Sequence, residues 1–170
     1  MKDLIPTPFF VGSMMYDAKR FMVCKGTGVS TVSQINAFDA ALKDAGVEDV
    51  NLIKVSSVLP EGMIEVEDVD MELGAFRTCV LARAEGYGEQ LLAGLSYGFR
   101  GDGKGGYVAE NAVSGDTLSK RAFENLLEKE LTAMSELRDV RLRDTKTVIS
   151  ELNMDEDAYG CAVVVLVYLP

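Results

Sequence analysis

Ala158-Tyr-Gly-Cys-Ala-Val-Val-Val-Leu-Val-Tyr-Leu169 carries no charged side chain and no polar alternation. A half-buried strand alternates apolar and polar residues, whereas one apolar at every position has both faces covered. The stretch therefore reads as the central strand of a sheet packed on both sides. Its unbroken apolar run, residues 161–169, is nine residues long, against about 20 for a membrane-spanning helix.

Working outward, residues 19–26 (KRFMVCKG), 76–84, 90–99, 107–113 and 141–152 read as further strands. Glycine-containing turns separate several of them, as in Glu85-Gly-Tyr-Gly88 and Gly101-Asp-Gly-Lys-Gly-Gly106. Ser33 is the expected N-cap of a helix running to about Ala45, with Ile35, Phe38, Leu42 and Ala45 on one face and Gly46 closing it. Asp116 or Thr117 is the expected cap of a longer helix to about Leu137, bearing Phe123, Leu126, Leu127, Met134 and Leu137. Residues 50–58 read as one strand, and the acidic residues 61–72 as an exposed connection. The total is about seven strands and two helices in a single domain. Strands in consecutive runs favour α+β, with each helix covering a sheet face in a layered sandwich.

Composition narrows the functions. The chain has 170 residues and a formal net charge of −10, and no basic run, which argues against nucleic-acid and anionic-membrane partners. An acidic surface draws cationic small molecules. Cys24, Cys79 and Cys161 are odd in number and lack a CxxC spacing, so free thiols in a reducing cytoplasm are expected. The start, Met1-Lys-Asp-Leu-Ile-Pro6, has no signal-peptide core, and a soluble cytoplasmic protein is expected. Histidine is absent, which excludes histidine-based triads, general acids and metal ligands from this chain. No metal is expected. Proton transfer falls to Glu, Asp, Tyr, Cys or Lys.

The chemically suggestive segment is Asn51-Leu-Ile-Lys-Val-Ser56-Ser57-Val-Leu-Pro60. If the serine pair ends a strand under strain, the Ser57 hydroxyl can attack the Ser56 carbonyl, cutting the chain and converting Ser57 into a covalent cofactor. Taken singly, a serine pair, a helix carboxylate or a strand glutamate is an ordinary surface feature. Their joint spacing is what makes them informative.

Asn36-Ala-Phe-Asp39-Ala-Ala-Leu42, followed by Ala45-Gly46 and by Asn51-Leu-Ile-x-Val-Ser56-Ser57-x-x-Pro60, resembles the archaeal-type pyruvoyl-dependent arginine decarboxylases. A looser likeness continues through Gly74-Ala75, Tyr107-Val-Ala-Glu110 and Gly160-Cys-Ala. The resemblance implies an αββα sandwich, a homotrimer of αβ units or a dimer of trimers, and active sites between subunits. It implies self-cleavage between Ser56 and Ser57 into a β chain, 1–56, and an α chain, 57–170, which begins with the pyruvoyl group made from Ser57. That ketone would form an imine with the α-amine of L-arginine and accept the electron pair released with CO2, giving agmatine.

The family's site residues then map onto this chain. Asn51 would supply a donor to the oxyanion during cleavage. Glu110 would return the proton to the substrate carbon, although Asn111-Ala-Val113 replaces a second acidic position beside it. Asp39 would grip the guanidinium through paired hydrogen bonds, and Leu42 would line the pocket for the methylenes. The resemblance leaves room for a pyruvoyl decarboxylase of S-adenosylmethionine, histidine or aspartate. It also leaves room for an unprocessed, non-catalytic homologue acting as a trimeric binding scaffold.

Overall fold

The computed structural model describes residues 18–67, 69–117, 119–154 and 157–170. Within them lie nine strands and two helices. In chain order these are β1 (Arg20–Ser30), α1 (Gln34–Asp44), β2 (Asn51–Lys54), β3 (Val58–Leu59), β4 (Ile64–Glu65), β5 (Phe76–Tyr87), β6 (Gln90–Arg100), β7 (Gly106–Gly115), α2 (Lys120–Glu136), β8 (Leu142–Leu152) and β9 (Tyr159–Leu169). The reading of the first six residues as lacking a signal sequence falls outside the described residues.

The strands form a five-stranded sheet, ordered β2-β5-β9-β1-β4, and a four-stranded sheet, ordered β3-β7-β6-β8. Pairing is antiparallel except at the two edges of the larger sheet, where β2 runs parallel to β5 and β4 parallel to β1. The architecture is the expected α+β sandwich, in four layers: α1, the larger sheet, the smaller sheet, α2.

β9 sits at the middle of the larger sheet, antiparallel to β1 and β5. Its side chains divide by the period of two that a strand imposes. Ala162, Val164, Leu166 and Tyr168 enter the core between the sheets. Cys161, Val163, Val165, Val167 and Leu169 enter the layer beneath α1. Burying a valine or leucine side chain contributes about 1.5–3 kcal/mol, so both layers gain from one strand. Helix α2 covers the other sheet, setting Phe123 and Leu127 against Leu92 and Ile149, and Leu131 against Tyr107 and Ala109.

Four expectations change. Residues 50–58 are not one strand: β2 stops at Lys54, paired with Cys79, and β3 starts at Val58 in the other sheet. The chain crosses between sheets at residues 55–57, leaving Ser56 and Ser57 outside both ladders. The acidic connection holds β4, whose backbone pairs with β1. The long helix is capped by Ser119, whose side chain accepts the Ala122 N–H, because Asp116 and Thr117 lie before the helix entry. In α1 the buried face is Ala37 and Ala41, with Ile35 65% exposed.

Close approach explains the last change. Gly26 and Gly28 of β1 lie under α1, and a Cβ on Gly28 would sit 2.2 Å from the Ala37 carbonyl oxygen and 2.4 Å from the Ala41 nitrogen. Only alanines on the helix and glycines on the strand allow that spacing, so the larger apolar residues of α1 are pushed to its flanks. Gly28→Ala is expected to lower stability by about 1–3 kcal/mol through overpacking, read as a shifted midpoint in denaturant unfolding.

Candidate active site

The crossing from β2 to β3 is held by backbone groups of both sheets. The Val55 N–H donates to the Cys79 carbonyl at 2.9 Å, fixing the end of β2 on β5. The Val58 N–H donates to the Ser56 carbonyl at 2.9 Å, closing a three-residue turn with Ser57 at its centre. The Ser57 carbonyl accepts the Val108 N–H of β7 at 3.1 Å. The peptide between Ser57 and Val58 is thus bound at both ends, and its N–H is directed at the carbonyl that Ser57 would attack. One residue on, the Tyr168 hydroxyl donates to the Val58 carbonyl at 2.9 Å.

A carbonyl that already accepts an N–H is polarised towards nucleophilic addition, and the same donor can hold the oxyanion that follows. Ser57 is half-buried and Ser56 exposed. Both therefore lie where a turn meets solvent rather than inside the core.

Beside this turn the sheets are joined by an ion pair. Lys54, the last residue of β2, places Nζ 2.6 Å from Oε1 of Glu110 on β7. The same ammonium donates to the Leu81 carbonyl of β5 at 3.0 Å. Glu110 lies two residues beyond Val108, the residue that holds Ser57, so the ladder sets its backbone position. Its side chain is 24% exposed, yet Oε2 is buried and lacks a hydrogen-bond partner. Such an acceptor is costly to bury unmet, which leaves Oε2 able to take a further partner.

Cys79, packed nearby, is not a reactive thiol. Burial pushes it up to about 11; Lys54 lowers it and Glu110 raises it by lesser amounts. Burial likewise lifts the Tyr168 hydroxyl to about 12, with Cys79 and Glu110 adding to the effect. Both stay protonated near neutrality, so Tyr168 acts as a donor. Among the described residues, no group of three or more His, Cys, Asp and Glu side chains is arranged to hold a metal ion.

Of the residues singled out from sequence, Ser56, Ser57 and Glu110 fall in this one region. Asn51 does not. It stands at the far end of β2, and its side-chain amide donates to the Gly74 carbonyl at 2.9 Å. Asp39 and Leu42 lie on α1, over the outer face of the larger sheet, Asp39 exposed and Leu42 half-buried. Phe38, on the same helix, stacks under the Arg83 guanidinium at 3.7 Å from the ring centre. A single subunit therefore holds Asn51 and Asp39 apart from the serine turn.

Sequence reasoning passed over Lys54, Tyr168 and the Val108 N–H. Lys54 had a signal, because it precedes Ser56 by two residues on an extended segment and so shares its side. Tyr168 had none, being one apolar-run aromatic among others.

The protected thiols have a consequence at alkaline pH. Burial also raises Cys24 to about 11 and Cys161 to about 12, from 9.0 in each case. A group raised on folding stabilises fully below its unfolded value and loses that contribution as pH climbs through its folded one. The melting temperature is therefore expected to fall between about pH 9 and 12, less steeply in Cys79→Ala.

The family model described as pyruvoyl-dependent arginine decarboxylase matches residues 20–170. The pyruvoyl-dependent arginine decarboxylase of Methanopyrus kandleri is 31% identical over 150 residues, covering 88% of this chain and 96% of its own. That of Methanothermobacter thermautotrophicus is 34% identical over 140 residues, covering 81% and 88%. That of Halobacterium salinarum is 31% identical over 156 residues, covering 88% and 93%.

Proposed function

The chain belongs to the family of pyruvoyl-dependent arginine decarboxylases, and from that membership we propose that it converts L-arginine to agmatine and CO2 with a pyruvoyl group made from its own Ser57. The observation that carries this reading is the turn at Ser57, where the Val58 N–H already lies 2.9 Å from the Ser56 carbonyl oxygen. Relatives named for a pyruvoyl group and for arginine supply the cofactor and the substrate.

Cofactor formation uses only this chain and water. The Ser57 Oγ bonds to the Ser56 carbonyl carbon, the Val58 N–H holds the oxyanion, and the carbon–nitrogen bond breaks as the Ser57 amine takes up the proton. The resulting ester loses the Ser57 α-proton, and the Cβ–O bond breaks to release Ser56 as a carboxylate. The dehydroalanine at 57 then takes up water and loses ammonia. Two chains result, 1–56 and 57–170.

The surroundings fit such a group, since the buried and unpartnered Oε2 of Glu110 stands beside the crossing where it would form. A pyruvoyl group at position 57 would supply a ketone able to bind the substrate amine covalently and an electron sink for decarboxylation. Glu110 would take up a proton on its unpartnered Oε2 and pass it to the substrate carbon. Asp39 receives the guanidinium through two charge-assisted hydrogen bonds, and Leu42 packs against the methylenes.

Asp39 and Asn51 act on the serine turn of a neighbouring subunit, in a homotrimer or a dimer of trimers. Supporting that assembly, β2 is an edge strand with Ile53 44%, Phe76 69% and Leu73 77% exposed around it. Such an edge is a ready surface for a second chain. Asn51 would assist the acyl shift from that side. Cys24, Cys79 and Cys161 are free, which suits a reducing cytoplasm. No helix among the described residues is long and apolar enough to cross a membrane.

Intact mass is expected to show fragments 1–56 and 57–170, and only the uncut chain in Ser57→Ala. Both fragments appearing in that variant would refute the cleavage site. Asp39→Ala is expected to be cut normally but to lose about 100-fold in kcat/KM for arginine, the equivalent of one bidentate contact. Unchanged CO2 release by that variant would remove Asp39 from substrate binding. Glu110→Gln is expected to lower kcat by about 100-fold or more.

A further inference from the structure

Glu110 presents two oxygens in different states, and the difference has a cause. Oε1 is engaged by Lys54 at 2.6 Å, whereas Oε2 is buried and unmatched. A free glutamate in that position could turn about its side-chain torsions to carry both oxygens to water, since the side chain remains 24% exposed. Something must prevent the turn. The Lys54 ammonium is itself held by the Leu81 carbonyl at 3.0 Å, and its backbone is paired with Cys79 on β5. It is a cation anchored to the larger sheet that reaches across to a carboxylate anchored on the smaller one.

We propose that Lys54 is a positioning residue: it holds Oε1 of Glu110 so that Oε2 is the oxygen presented to the centre formed at Ser57. The assignment rests on the reading of Ser57 given above, and it adds a residue that this reading does not use. Lys54 is well placed for it by covalent connection, being two residues from Ser56 on the same segment. The same short stretch thus delivers the serine turn and the cation that aims the carboxylate. Lys54 acts through Glu110 and forms no bond to the substrate.

Two substitutions of Lys54, alone and in combination, and two kinds of measurement test this. Lys54→Met keeps the stem and removes the charge, and Lys54→Arg keeps a cation of different shape. Expected for Lys54→Met are normal fragments 1–56 and 57–170, kcat lower by about 100-fold as for a misplaced catalytic group, and KM for arginine within about threefold. Lys54→Arg is expected to recover at least a tenth of wild-type kcat. Combining Lys54→Met with Glu110→Gln is expected to cost no more than Glu110→Gln alone.

Uncut Lys54→Met would place Lys54 in cleavage instead and overturn the assignment. A raised KM with unchanged kcat would make Lys54 a substrate ligand and overturn it equally. So would an additive loss in the double variant, or no rescue by Arg. Crystal structures of Ser57→Ala and of Ser57→Ala with Lys54→Met supply a readout that needs no activity. The Glu110 carboxylate is expected to keep its orientation in the first and to swing towards solvent in the second. An unmoved carboxylate in both overturns the proposal, whatever reaction the wild-type enzyme catalyses. Failure of wild type to cut itself or to release CO2 overturns instead the reading of Ser57.

Discussion

Burial of β9 on both faces is the constraint on which the rest of the molecule depends. A strand that places Val164 and Leu166 in one layer and Val163 and Val165 in another requires a cover on each side. The smaller sheet provides one cover and α1 the other. Because α1 must come close, β1 carries Gly26 and Gly28 where the helix backbone passes. Because the smaller sheet must lie face to face with the larger, the chain has to pass between them. One such passage is the segment from Lys54 to Val58.

That passage carries Ser56 and Ser57. In a ladder each peptide is held by its neighbours, and no carbonyl is free to change its bonding. At the crossing the ladder stops for three residues, and the Ser56 carbonyl accepts the Val58 N–H of the turn. Anchors on β5, β7 and β9 hold the turn from outside through Cys79, Val108 and Tyr168. A segment released from sheet pairing but fixed at its ends is a good place for an intramolecular reaction, since orientation is already set. The ion pair of Lys54 and Glu110 spans the same gap and brings a carboxylate to it.

Much of this organisation was legible in the residues. The apolar run of β9, the two amphipathic helices and the order of the long strands follow from local periodicity, which needs no partner to be read. Membership of the family was legible through the spacing of the Asn36–Leu42 and Asn51–Pro60 segments. The face of α1 was legible in part: Phe38, Leu42 and Ala45 do pack against the layer beneath it, whereas Ile35 is exposed. The helix's own deepest positions are the small Ala37 and Ala41, which a ranking by hydrophobicity passes over. Close packing favoured the reverse, since the distance to Gly28 leaves room only for a methyl group. The cap of α2 was misplaced by two or three residues because several adjacent side chains could serve.

The sequence by itself determined the long strands and both helices, the absence of histidine, and a spacing shared with the pyruvoyl-dependent arginine decarboxylases. Only the tertiary structure decided that residues 50–58 are two strands in different sheets, and that Lys54 reaches Glu110 across the gap. It also decided that Asn51 and Asp39 stand away from Ser57 within one subunit. The physical reason is that periodicity and propensity act between near neighbours in the chain. Which strand pairs with which depends on burying both faces of β9 at once, a condition that no local stretch contains.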